Sequence, residues 1–123
     1  MKLRFRGNTL RLRVNRLEVE TLASGAPLEE DVVFPNQEHL RYVVQPGRSD
    51  RAEASFEGGV IRIGAPLRDV RNWASDDSVG LYFDFPGSDR PLKVSIEKDL
   101  ECADGPPEEI DPHAFPRKPG NNC

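Results

Sequence analysis

The sequence predicts a mainly β domain of the α+β class: one ββαββ unit written twice, with two short helices and eight antiparallel strands. The strands are expected to close as a barrel or to bend as one strongly curved sheet. Three observations carry this. Sliding the chain by 51 positions lays residues 5–35 on 56–86 without a gap, with eight of 31 positions identical, among them Phe5/Phe56, Gly7/Gly58, Arg11/Arg62, Val19/Val70 and Phe34/Phe85. Ordinary composition would give about two identities by chance. Apolar residues alternate with polar ones over short segments, which marks strands with one buried face. Two short stripes at helical spacing interrupt that alternation at matching places in the two halves.

Taken in order, residues 2–6 and 9–14 alternate around Gly7-Asn8, a pair suited to a two-residue hairpin turn; residues 53–57 and 60–65 repeat this around Gly58-Gly59. Asn15 then offers an N-cap, Glu18 completes a capping box, and Val14 is placed to staple on Val19. Val19, Leu22 and Ala23 form the first helical stripe and Gly25 ends it; Val70, Trp73 and Ala74 form the second. Each half closes with two strands, near 28–34 and 39–45 and near 79–85 and 91–97. The inward set includes Phe5, Val32, Phe34, Phe56, Val79 and Phe85. Repeat one thus spans about 2–46 and repeat two about 53–98, making one duplicated domain over 1–100. Residues 101–123, with five of the eleven prolines and no periodicity, read as an acidic tail in which Phe115 is a candidate anchor.

No apolar run approaches the roughly 20 residues of a membrane span. The opening MKLRFRG alternates charge instead of building the apolar stretch of a secretory signal, so a soluble cytoplasmic protein with free thiols is expected. A formal net charge of −4 conceals opposite ends. The first 16 residues hold Lys2, Arg4, Arg6, Arg11, Arg13 and Arg16 without an acid, whereas Glu97–Asp111 holds seven acids and one lysine.

The opening MKLRFRGNTLRLRV, the stretch VRNWASDDSVGL and the ending VSIEKDLEC…AFP resemble a family of short bacterial proteins of unknown function, opening M-K-[LI]-R-[FI]-[RK]-G-N. The resemblance spans nearly the whole chain and implies a bacterial source. At the level of fold, a duplicated half with eight strands and two helices resembles the CYTH-type triphosphate tunnel proteins, which implies a lumen binding polyphosphate and divalent metal. Their E-x-E-x-K signature on the first strand is here Lys2-Leu3-Arg4-Phe5-Arg6, which holds no acid to ligate a metal.

The first hairpin carries the sharpest anomaly. A two-residue turn sets Arg4 opposite Arg11 and Lys2 opposite Arg13, like charges that destabilise a strand pair by a few tenths to about 1 kcal/mol. The second hairpin has Ser55 opposite Arg62 and Glu53 opposite Gly64. Lys2, Arg4, Arg6, Arg11 and Arg13 are therefore the candidate anion-binding residues, for a small anionic ligand or an acidic protein. The competing expectation is neutralisation within the chain by Glu53 and Glu57, by Glu29-Glu30-Asp31 or by the acidic tail. If the tail shields the hairpin, deleting everything after Leu100 leaves the melting temperature nearly unchanged and raises anion affinity. Nucleic acid is disfavoured because Phe5, the only interleaved aromatic, points inward.

Cys102, His113 and Cys123 are weak zinc candidates, spread over 22 residues without a C-x-x-C pair, so no metal site is expected. No catalytic residue emerges: His39 has no nucleophile near it in sequence, Ser24 and Ser75 suit helix ends, and no phosphate-loop or dinucleotide motif is present. No cofactor is expected. A non-enzymatic binding or adaptor module ranks first, as a monomer or homodimer. A phosphate- or nucleotide-processing tunnel enzyme ranks second, and a structural partner subunit third. The repeat-matched cations Arg11, Arg62, Arg41 and Lys93 separate the first two, lining a lumen in a tunnel and facing solvent in a filled domain.

Overall fold

The computed structural model describes residues 1–87, 89–100 and 111–116. The element order is β1 (Lys2–Arg6), β2 (Thr9–Val14), α1 (Arg16–Ala23), β3 (Leu28–Val33), β4 (His39–Gly47), β5 (Glu53–Glu57), β6 (Val60–Pro66), α2 (Leu67–Ser75), β7 (Gly80–Phe85) and β8 (Leu92–Lys98). These strands make two four-stranded sheets, ordered β1-β2-β8-β7 and β3-β4-β6-β5. The expected barrel does not close. The strand pairs inside each half are antiparallel, but the central pairs β2–β8 and β4–β6 are parallel, so each sheet is mixed. The topological reason is that each helix carries the chain away from its own hairpin. The two strands that follow it then join the hairpin of the other half, and parallel neighbours need such a long crossover.

Strand order and register correspond between the sheets. Leu12 faces Ile96 where Ile63 faces Val44, and Leu10 faces Val94 where Ile61 faces Tyr42. The hairpin registers are those the turns predict: Lys2–Arg13, Arg4–Arg11 and Arg6–Thr9 in one, Glu53–Gly64 and Ser55–Arg62 in the other. Of the first turn only Gly7 takes a positive φ, +55°, whereas Gly58 and Gly59 both do. Gly59 is further constrained by packing, because a Cβ there would lie 2.8 Å from the His39 carbonyl oxygen.

Helix α1 starts as its sequence requires. The Asn15 side chain accepts from the Glu18 N–H, and the Glu18 carboxylate accepts from the Asn15 N–H. It ends at Gly25, where Gly25 N–H donates to the Leu22 carbonyl and Ala26 N–H to the Thr21 carbonyl, the paired bonds of a glycine stop. The Ser24 and Ser75 hydroxyls donate to the Thr21 and Asn72 carbonyls, a local role at helix ends. The helices pack on each other beyond the finishing ends of β2 and β6. Val19 and Leu22 of α1 and Val70 and Trp73 of α2 are buried beneath them.

The interior between the sheets is apolar, centred on Leu12, Val14, Val44, Ile63, Val94 and Ile96. Arg41, Arg62 and Lys93 are exposed, and Arg11 on the outer face is half-buried. A tunnel would need those cations inside a closed barrel, so the tunnel expectation fails on both counts. Several residues assigned to the inward set stay open to solvent: Phe5, Val32, Phe34, Phe56 and Val79 are all exposed. They sit on or beside β1, β3, β5 and β7, the edge strands, where no further strand covers them.

Candidate functional site

The outer face of the first sheet is read directly from its register. One row across it runs Lys2, Arg13, Glu97, Gly80; the next Arg4, Arg11, Ser95, Tyr82; the third Arg6, Thr9, Lys93, Asp84. All five candidate cations thus share one face. The corresponding rows of the second sheet hold Glu53, Gly64 and Gln45, then Ser55, Arg62, Val43 and Glu29, then Glu57, Val60, Arg41 and Asp31. Those rows mix the two signs, and Arg41 Nε lies 3.0 Å from Glu29.

Neutralisation within the chain reaches some of the cations. Glu97, buried at the centre of the sheet, takes a short ion pair from Arg11 Nε and accepts from the Tyr82 hydroxyl at 3.2 Å. Lys2 Nζ lies 2.8 Å from the buried Asp99 carboxylate. Arg4, Arg6 and Arg13 have no carboxylate within 4.0 Å among the described residues. Burial and then the neighbouring charges of Arg11 and Arg4 hold the Arg13 guanidinium below its ordinary value, against the opposing pull of Glu97 and Asp99. Arg4, Arg6, Thr9 and Arg11 surround a surface cleft of about 170 Å³.

Tyr82 is the member that sequence reasoning missed; Glu97, expected as one acid of the run Glu97–Asp111, stands inside the sheet beside it. Gly80 is what lets them meet, since a Cβ at position 80 would lie 2.8 Å from Glu97 Cγ and 2.9 Å from the Tyr82 hydroxyl. Burial, the Glu97 charge and the hydrogen bond to it push the Tyr82 hydroxyl up; burial, Glu30 and Glu18 do the same at Tyr42. These are the only tyrosines in the chain, so an ultraviolet titration should show both ionising above the ordinary 10.0. Because the folded values are raised, the stability linked to them is complete below 10 and is lost as the pH climbs through the folded values. Release of either tyrosine at its ordinary value in the folded protein would remove the Glu97 contact or the Glu30 environment from this account.

Among the described residues no group of three or more His, Cys, Asp or Glu side chains can hold a metal ion. His113 is exposed; Cys102 and Cys123 lie outside the described residues. His39 Nδ1 lies 2.9 Å from exposed Asp31, a surface pair. No helix among the described residues is long and apolar enough to cross a membrane. In comparisons with known proteins, the model of a family of unknown function, DUF7009, matches residues 1–119. No curated protein and no solved structure matches the chain.

Proposed function

The chain belongs to this family of unknown function, and we propose from its own geometry that it is a non-enzymatic binding module whose basic face receives an anionic ligand or the acidic segment of a partner. The observation that carries the reading is the incomplete neutralisation of that face by the described residues. Glu97 and Asp99 engage Arg11 and Lys2, while Arg4 and Arg6 converge on a surface cleft without a carboxylate partner among the described residues. Guanidinium groups present fixed forks of donors suited to carboxylate and phosphate oxygens. An anion in the cleft would also relieve the like-charge opposition of Arg4 and Arg11. We read the two halves as copies of one unit, of which the first has acquired this face and the second keeps the unloaded form.

The test is a thermal-shift series with phosphate, pyrophosphate, triphosphate and a short polyglutamate peptide at low and at physiological salt. A ligand of the folded state at a hundredfold excess over its Kd adds about 2.7 kcal/mol, and the effect should fade with salt. Replacing Arg4 by Ser and Arg6 by Glu, as in the second hairpin, should abolish the anion-induced rise. The same double change should stabilise the unliganded protein by a few tenths to about 1 kcal/mol, because the Arg4–Arg11 opposition is gone. If none of these anions raises the melting temperature at low salt, the reading fails.

A further inference from the structure

At the end of the domain opposite the helices, the sheets splay into a cleft of about 400 Å³. Phe5, Leu10 and Leu40 of the first half line it together with Phe56, Ile61 and Leu92 of the second. These are repeat-matched pairs, so the cleft lies across the relation between the halves. Its two lips are the hairpin ends, and there Phe5 is 58% and Phe56 67% exposed. Isolated exposed apolar residues are ordinary, but two phenylalanines at the mouth of an apolar cleft form a contiguous patch that the described residues leave uncovered.

The lips correspond in strand register and carry opposite charge. Arg4 and Arg6 flank Phe5, whereas Ser55 and Glu57 flank Phe56, and all six residues are exposed. A twofold dimer requires a surface that is complementary to itself. Two lips of corresponding register and opposite sign on one mouth meet that requirement. We propose that this mouth is the contact surface for a second copy of the chain, with the Phe5–Arg6 lip of each copy set against the Phe56–Glu57 lip of the other. The alternative twofold, like lip on like lip, would set Arg6 against Arg6 and Glu57 against Glu57. The charge difference between two hairpins of matching register therefore selects one of two dimers that register alone would allow. This gives the uneven arginine loading a consequence independent of any anion in the outer cleft.

Sedimentation equilibrium of the full chain over a wide concentration range tests the proposal. A reversible dimer is expected, weakened about tenfold or more by Glu57→Arg or by Arg6→Glu, since each change acts at two symmetry-related contacts. The double variant R6E/E57R reverses both lips and should restore the dimer. Phe56→Ser should also dissociate it, and because Phe56 is largely exposed the melting temperature of the resulting monomer reports intact folding. A chain that stays monomeric at millimolar concentration overturns the proposal, as does a dimer indifferent to Glu57→Arg. Displacement of an apolar fluorescent dye from a monomer by a long-chain fatty acid would assign the cleft to a small ligand instead, and also overturns it. Glu57→Arg leaves Arg4, Arg6 and Arg11 in place, so failure here and failure of the anion reading remain distinguishable.

Discussion

Trp73→Ala is expected to cost about 3–5 kcal/mol and to lower the melting temperature by about 10–20 °C. Trp73 is 2% exposed and among the largest fully buried side chains of the domain. It anchors α2 in three ways. Its ring fills the core beneath the helices, its indole N–H donates to the Val79 carbonyl at 3.0 Å, and the Lys98 ammonium lies 5.8 Å from its ring centroid. Removing the ring leaves a cavity and orphans the Val79 acceptor, so transfer, cavity and hydrogen-bond losses add. Trp73→Leu copies Leu22, the residue at the matching place on α1, and should recover part of the loss without restoring the hydrogen bond. Chemical denaturation of the three proteins checks the order. The wild-type chain has a single tryptophan, whose emission should shift to the red only on unfolding. Emission already typical of a solvated indole in the native protein would remove Trp73 from the core.

The elements and their inward faces were legible because they rest on local chemistry. A two-residue turn fixes hairpin register, so Arg4 opposite Arg11 could be read from Gly7-Asn8 alone. Asn15 and Glu18 specify the start of α1 without reference to anything distant. What alternation cannot encode is which strand lies beside which: period two selects a face and leaves the neighbour open. The parallel β2–β8 pair was therefore missed, and with it the pairing of Glu97 with Arg11 in particular. In sequence Glu97 ends the last expected strand and opens a run of acids without showing which cation it meets. In the sheet it stands beside Arg13 and pairs with Arg11. The same gap explains the exposed phenylalanines. Phe5 and Phe56 alternate correctly inward, but inward at the mouth of an open end is still solvent.

Deleting the residues after Leu100 is expected to lower the melting temperature by about 10 °C, contrary to what a loose acidic tail would give. The described stretch 111–116 docks at the start of α1. Arg16 N–H, one of the donors that a helix leaves without an internal partner, donates to the His113 carbonyl at 3.0 Å. Asn15 Nδ2 donates to Asp111 at 2.8 Å, and Phe115 N–H donates to the Asp99 carbonyl at 2.7 Å. The Phe115 ring packs on the core and shares the Lys98 ammonium with Trp73, 5.6 Å from its own centroid. Three hydrogen bonds and a half-buried ring amount to about 2–3 kcal/mol; Phe115→Ala in the full chain should account for about half of that. The effect also has a pH signature. The hydrogen bond from Asn15 is the main cause that holds the Asp111 carboxyl below its ordinary 3.8. A depressed folded value means that its share of the stability is present above 3.8 and is lost as the pH falls through the lower folded value. The gap in melting temperature between full-length and truncated chains should therefore narrow below pH 3.8 and stay constant above pH 5. Equal melting temperatures at neutral pH would mean that Phe115 and Asp111 contribute nothing to stability in solution.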